Sequence, residues 1–252
     1  MSFFRRYIDW SFTYVRLAGL GLLIGGSVMG GYLYTLQYKG NIHAIVVGQA
    51  YRSNQPDPAR IASMQKLYGI KTIINLRGAE PGSKWYDEEI AAAKTLGISH
   101  TDFAMSSSKQ LNPAQTRQLI ALMQNAEKPV LIHCKSGSDR TGLAAALYVA
   151  AIAKGSESKA ERQLSIAYGH FGFPLSPTYA MEKTFEAIEA ELGLYRLLTL
   201  PLHKRKTPGR NPGVFCLLGL RILSENRFTV FGMRSLSGND LIRGRRSCRH
   251  PT

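Results

Sequence analysis

A chain of 252 residues holds one domain, or one domain with appendages. Its 44% hydrophobic and 10% aromatic content exclude a globally disordered polypeptide, and its three cysteines, with no Cys-x-x-Cys pair, exclude a disulfide framework and a zinc ribbon. A net charge of +15 points to an anionic partner such as phosphate, nucleic acid or a lipid surface.

The first 16 residues carry Arg5, Arg6 and Arg16 against Asp9 alone. The next 22, Leu17 to Tyr38, carry no charge. At ~1.5 Å per residue such a helix crosses a hydrocarbon layer of about 30 Å. Trp10 and Tyr14 near one end, and Tyr32, Tyr34 and Tyr38 near the other, suit the two interfaces of a bilayer. The segment 17–38 is therefore expected to be a single transmembrane anchor. The positive-inside bias puts residues 1–16 in the cytoplasm and everything after Lys39 outside it, in the periplasm if the cell is bacterial. A cleaved signal peptide is the main rival, but the apolar stretch is long for one and no Ala-x-Ala-like site follows. A buried soluble helix is disfavoured by six glycines between Gly19 and Gly31. Gly21-x-x-x-Gly25 and Gly26-x-x-x-Gly30 offer a face through which two anchors can form a homodimer.

From residue 40 to 200 the pattern alternates between strand and helix. Ile42–Val47 and Lys71–Leu76 are short β-branched runs, Ile98–Phe103 is a further strand, and Val130–His133 is an apolar strand entered from Pro129. Asp57-Pro58 opens a helix, as does Asn112-Pro113, which starts one running to about Ala126. A helix starting near Trp85 stops at Gly97. Ser158 and Glu161 read as a capping box, and Ser176-Pro177 starts a helix to about Leu192 with Gly193 as its stop. This order predicts an α/β domain, a central, mostly parallel sheet flanked by helices and preceded by one transmembrane helix.

The tail, residues 201–252, holds 11 basic and 2 acidic residues, so it supplies +9 of the net charge. It shows little helical or strand period and reads as a solvated, disordered extension. Its cluster Arg243, Arg245, Arg246 and Arg249 is the one feature that suggests nucleic acid or anionic lipid; the rest of the chain is only mildly basic, and a nucleic-acid partner is not expected.

The sharpest feature is the run Val130 to Gly142, in which a strand enters a loop with Cys134 first and Arg140 sixth after it, and an alanine-rich helix starts at Thr141. A loop between a strand and a helix N-terminus turns several backbone N–H groups inward and makes a nest for an oxyanion. The positive end of the helix also favours a thiolate at Cys134. Arg140 can grip two phosphate oxygens through its fork. Gly137 lets the backbone turn without a Cβ clash.

Cys-x5-Arg-Thr with His133 before the cysteine resembles the protein tyrosine phosphatase superfamily. Tyr51-Arg52-Ser53-Asn54-Gln55-Pro56 and Lys71-Thr72-Ile73-Ile74-Asn75-Leu76-Arg77 are similar to runs of its compact dual-specificity and atypical bacterial members. The resemblance covers about residues 43–190 and implies hydrolysis of phosphate monoesters without metal or cofactor. It implies that Cys134 attacks phosphorus, that Arg140 and the amides of Lys135, Ser136, Gly137 and Ser138 bind the phosphate oxygens, and that the Thr141 hydroxyl hydrogen-bonds the thiolate. His133 is expected to hold the loop. A carboxylic acid must protonate the leaving oxygen. Two compete: Asp102, at the end of a strand, where small dual-specificity members keep their acid, and Asp139, whose proximity the loop itself guarantees and which is placed slightly ahead. Lys135 is either a rim cation for substrates with extra phosphate or a solvated side chain. Arg77 either helps bind substrate or salt-bridges a helix, and Lys84-Trp85-Tyr86 form a pocket wall or a first helical turn. Substrates are phosphoproteins or a phosphorylated lipid. The alternative is a membrane-tethered module that binds phosphate with little turnover.

Overall fold

The computed structural model describes residues 2–193, with side chains from Tyr14 onward, so the tail expected at 201–252 lies outside the described residues. The chain begins with one continuous helix, α1 (Ser2–Tyr38). Its Tyr14–Tyr38 part has a mean hydropathy of 1.4, long and apolar enough to cross a membrane by length and composition. Leu17, Leu20, Leu22, Leu23, Ile24 and Val28 are all exposed, so apolar side chains surround the helix rather than forming one stripe. Among the described residues, a Cβ added at any of the six glycines would meet nothing within 4 Å. α1 ends at Gly40 (φ +86°) and Asn41 (φ +48°), whose backbone N–H donates to the Leu36 carbonyl at 2.7 Å.

Beyond it lies a five-stranded sheet. Its strands are β1 (His43–Val46), β2 (Ala50–Ser53), β3 (Thr72–Asn75), β4 (Ser99–Asp102) and β5 (Val130–His133), in the order β1-β2-β5-β3-β4. β1 runs antiparallel to β2, and the other three pairings are parallel. The parallel strands are joined through α2 (Pro58–Tyr68), α3 (Lys84–Thr95) and α4 (Pro113–Asn125). These helices begin as expected: Asp57 Oδ1 accepts from the Arg60 N–H at 2.7 Å, and Asn112 and Gln115 close a reciprocal capping box.

Side-chain alternation sorts the core into two layers. Ile73 and Leu131 face Ile61, Met64 and Ala93 on α2 and α3. Ile74, Val130 and Ile132 face Leu119 of α4 and the helices that follow β5. Those are α5 (Asp139–Leu147, continued by a π-helical turn at Tyr148–Ile152), the short α6 (Glu157–Glu161) and α7 (Ala180–Glu189). The chain winds outward to β4 and then returns to insert β5 at the centre. The carboxyl end of β5 is thus the switch point at which α/β sheets place their ligands.

Three local expectations need correction, and one strand was not anticipated: β2 is a full interior strand whose end carries the buried Arg52. α5 starts at Asp139 rather than Thr141, so Asp139 and Arg140 already sit in the helix's first turn. α6 starts at Glu157 with Ser156 as N-cap, which puts Ser158 inside the helix and removes the capping box. The helix from Ser176-Pro177 opens as a 3-10 turn, Pro177–Tyr179, before becoming α-helical at Ala180.

Candidate active site

β5 delivers Cys134 to the top of the sheet, 1% exposed. The loop behind it is best understood through its carbonyls, because buried peptide groups must all find partners. The Lys135 carbonyl accepts from the Gln55 N–H at 3.2 Å. The Ser136 carbonyl accepts from the side-chain amides of Gln37 (3.0 Å) and Asn41 (3.1 Å). The Gly137 and Ser138 carbonyls accept from Arg52 Nη2 at 2.8 and 3.3 Å. Four successive carbonyls are thereby held outward, and peptide planarity aims the amides to the other side, around the sulfur. One of them, the Gly137 N–H, donates to Cys134 Sγ at 3.3 Å. Gly137 is at φ +73°, and a Cβ there would lie 2.7 Å from the Ser53 and Asn54 backbone, so both the turn and the close approach require glycine.

Arg140 closes the loop. Its Nη1 has only long contacts, 3.5 Å to the Leu76 carbonyl and 3.4 Å to that of Met105, and its buried Nε has no partner among the described residues. A guanidinium with donors to spare beside a ring of inward amides suits an oxyanion. Thr141 Oγ1 is also buried without a partner, so the bond expected between this hydroxyl and the thiolate is not formed here. Lys135 is exposed and Ser136 half-buried. Arg77 reaches the same rim from the end of β3: its guanidinium stacks 3.4 Å over Trp85 and Nη1 donates to Gln55 Oε1 at 2.8 Å. Of the two expectations for Arg77, the contact with α3 is the one seen, as a stack on Trp85 rather than a salt bridge to that helix.

The structure separates the two acid candidates. Asp102 pairs with Asn75, which pairs in turn with His133, two strands and about 10 Å from β5. Its oxygens are both engaged, Oδ1 by Asn75 Nδ2 and Oδ2 by the Tyr86 hydroxyl, each at 2.7 Å. The carboxylate in turn holds the Tyr86 phenol up at about 12, its hydrogen bond being the main cause and burial the next. Asp139 instead stands in the first turn of α5, beside Arg140. Its Oδ1 is 2.7 Å from His170 Nδ1, while Oδ2 has only a 3.5 Å contact to Ser138 Oγ.

Several groups escaped the sequence reading. Glu89 of α3 is fully buried and faces His133 Nε2 (3.1 Å), His100 Nε2 (2.6 Å) and the Gln55 amide. Burial alone would raise this carboxyl, but the hydrogen bonds from His100, His133 and Gln55 outweigh it and hold it at about 2. His133 thus holds the root of the loop, as expected, against a partner that the sequence did not reveal. His170 is buried between Asp139 and Glu182, whose Oε1 lies 2.5 Å from Nε2. Burial alone would lower the His170 imidazolium, but the hydrogen bonds and charges of Asp139 and Glu182 outweigh it and raise it. A raised histidine stabilises the fold fully below its ordinary value of 6.5, and that contribution fades as pH rises through the folded value. Replacing His170 by Gln is therefore expected to lower the melting temperature more at pH 6 than at pH 9. The extra gap should be about 4 °C, from ~1–2 kcal/mol of charge-assisted hydrogen bonding; equal gaps in thermal unfolding at the two pH values would refute it.

With this geometry in hand, comparison with known proteins is direct. Residues 46–171, half of the chain, match the model of a phosphatase family described as Swiss Army Knife protein, DSP-PTPase phosphatase domain. The chain belongs to the protein tyrosine phosphatase superfamily. The dual specificity protein phosphatase TpbA of Pseudomonas aeruginosa is 32% identical over 101 residues, 39% of this chain and 41% of that protein. The match thus spans about two fifths of the curated relative's length. The crystal structure of P. aeruginosa TpbA superposes with a TM-score of 0.49 at 19% identity, covering 62% of this chain and 92% of that one. The catalytic core of the S. cerevisiae PP-IP phosphatase SIW14, in complex with citrate, gives 0.46 at 19%, covering 61% and 93%. The family match includes β2, the loop from Cys134 to Arg140 and His170, and it leaves out α1 and Glu182.

Proposed function

We propose that this chain is a membrane-anchored, cysteine-dependent phosphatase that hydrolyses phosphate monoesters through a phosphocysteine. The observation that carries the reading is the loop from Cys134 to Arg140: its carbonyls are pinned outward, its Gly137 N–H donates to a buried sulfur, and an arginine with unused donors stands beside it. Cys134 Sγ attacks phosphorus, and the S–P bond forms as the bond to the leaving oxygen breaks. The loop amides and Arg140 hold the three equatorial oxygens, where they stabilise the transition state. Asp139 gives its proton to the leaving oxygen. Water then attacks phosphorus, Asp139 takes the proton back, and the thiolate leaves. His170 acts through Asp139 as a positioning residue, because it fixes Oδ1 and leaves Oδ2 as the oxygen that can face substrate. α1 serves as the anchor. The arginines before it put the domain on the side away from the cytoplasm.

The test is phosphate release by the full chain in detergent, with an aryl phosphate monoester, beside Cys134→Ser. Native turnover should fall to background in the variant, a loss of at least a thousandfold, while phosphate still binds. Turnover that survives the substitution refutes a cysteine nucleophile. Phosphate binding without turnover in the native chain would favour the tethered binding module.

A further inference from the structure

We infer that the phosphate loop sits at the headgroup level of the membrane and that its substrate is a lipid carrying a terminal phosphate monoester. The inference rests on the phosphatase reading above and deepens it. The last two turns of α1 are not a free stalk. Leu33 and Leu36 are half-buried, and the Tyr32 hydroxyl donates to the Ala167 carbonyl at 2.8 Å. The Gln37 side chain donates to the Ser136 carbonyl at 3.0 Å, while its own carbonyl accepts from Asn54 Nδ2 at 3.0 Å. The Tyr38 carbonyl accepts from Arg60 Nη2 at 3.3 Å. A Cβ built on Gly169 would lie 3.6 Å from Leu33, 3.8 Å from Ser138 and 3.9 Å from Leu36, so helix and loop share one packed seam.

This docking fixes a height. Residues bonded to the domain cannot also lie in hydrocarbon, so the membrane-embedded part of α1 must end near Gly31, seven residues short of the boundary expected from charge alone. The remaining uncharged stretch, Leu17 to Gly31, is exposed throughout. At ~1.5 Å per residue it spans about 22 Å, and Tyr14 and a snorkelling Arg16 at its far end extend it toward the ~30 Å hydrocarbon thickness. Gln37 then lies about 9 Å further along the axis. The headgroup layer occupies roughly 5–7 Å on each side, so the loop carbonyl that Gln37 holds rests about 2–4 Å beyond it, within the reach of a phosphate that projects from a headgroup. Tyr34 and Tyr38 are 71% and 72% exposed in this zone, where aromatic side chains favour the interface. Lys39 and Lys135 are exposed nearby and add positive charge facing anionic lipid. A phosphate group on a lipid headgroup reaches such a loop without leaving the bilayer.

The experiment lifts the domain without touching the docked turns. An eleven-residue helical insert between Gly31 and Tyr32 adds three turns, about 16 Å, and keeps the helix face in phase. The full chain, with and without the insert, is reconstituted in phosphatidylcholine vesicles containing phosphatidic acid, and a soluble phosphotyrosyl peptide is assayed with the same vesicles. The native chain should prefer the vesicle lipid. The insert should cut lipid turnover at least tenfold and leave peptide turnover within twofold. Unchanged lipid turnover overturns the inference. Equal loss on both substrates also overturns it, because the seam then shapes the loop rather than its height. A native preference for the peptide overturns it in favour of a phosphoprotein substrate. Absence of Cys134-dependent turnover on either substrate is a failure of the phosphatase reading itself.

Discussion

Substituting Arg52 by methionine is expected to lower the melting temperature of the chain by about 10 °C and its kcat/KM by about a hundredfold. Arg52 is 0% exposed, an unusual place for a guanidinium, and no carboxylate pairs with it among its hydrogen bonds. Its charge is met by dipoles. Nη1 donates to the Gln163 carbonyl and side chain at 2.9 and 3.0 Å, Nη2 donates to the Gly137 and Ser138 carbonyls, and the plane rests 3.9 Å over Tyr168. Burial lowers Arg52 to about 10, against the raising influence of Tyr168 and the Cys134 sulfur, so it still carries its charge at neutral pH. Methionine fills much of the volume but leaves the Gln163 and Gly137 carbonyls unsatisfied, while that of Ser138 keeps the Gly142 N–H at 2.8 Å; the cost is ~1–3 kcal/mol for a buried group and about 3–5 kcal/mol for the site as a whole. At about 2–4 °C per kcal/mol for a domain of this size, that gives the expected shift. Activity falls as well, because the abandoned Gly137 carbonyl is one whose outward pose turns the loop amides inward. Arg52→Lys should not rescue, since a single ammonium cannot bridge Gln163 and the loop as the fork does. Thermal unfolding and steady-state kinetics of the three proteins decide the matter; a methionine variant melting within 3 °C of the native chain would show that Arg52 is dispensable.

Arg52 also marks the limit of what the sequence discloses. The loop itself was legible because its chemistry is local: a strand, a cysteine, a glycine, an arginine and a helix within thirteen residues, each constrained by its neighbours. The helix starts at Asp57 and Asn112 were legible for the same reason, since a cap is a contact between residues three apart. What supports the loop is not local. Arg52 meets the loop 85 positions later, Glu89 meets His133 across 44, and His170 meets Asp139 across 31. Glu89 stands in the run Asp87-Glu88-Glu89, where nothing but the turn of α3 decides which carboxylate faces inward. β2 escaped detection because an interior strand of a largely parallel sheet is normally apolar, and two of the four buried positions of this one hold a guanidinium and a hydroxyl.

These supports share a physical logic. The loop must present uncompensated N–H groups to an empty centre, an arrangement that repels itself when no anion is bound. The fold counters that repulsion from outside, by fixing each carbonyl with a donor from beyond the loop: Gln55 and Arg52 around β2, Asn41 after α1, and Gln37 within α1. Beneath it, the buried Glu89 carboxylate is hydrogen-bonded to His100 and His133 and so holds the root of the loop. α1 thereby contributes to the scaffold of the loop. Truncation at residue 40 would remove Gln37 and one of the two amides on Ser136, so activity is best measured on the full chain.

Asp139→Asn is expected to slow hydrolysis of an alkyl phosphate monoester by about 10²–10⁴, the usual contribution of a positioned general acid. It should slow an activated aryl ester, whose leaving group departs without a proton, by less than tenfold. That contrast separates proton donation from mere damage to the loop, which would slow both esters alike. Asp102→Asn should cost less than tenfold on either ester. The reason lies in what each carboxylate is already doing. Asp102 accepts hydrogen bonds at both oxygens, from Asn75 and Tyr86, and losing one of them to reach substrate would strand a partly buried phenol. Asp139 has one oxygen fixed by His170 and the other held only by a 3.5 Å contact, in the turn that also presents Arg140. Kinetics of the two variants on the two esters therefore assign the acid. A thousandfold loss confined to Asp102→Asn on the alkyl ester would move the role to the end of β4, and would require that strand end to release Tyr86 when substrate binds.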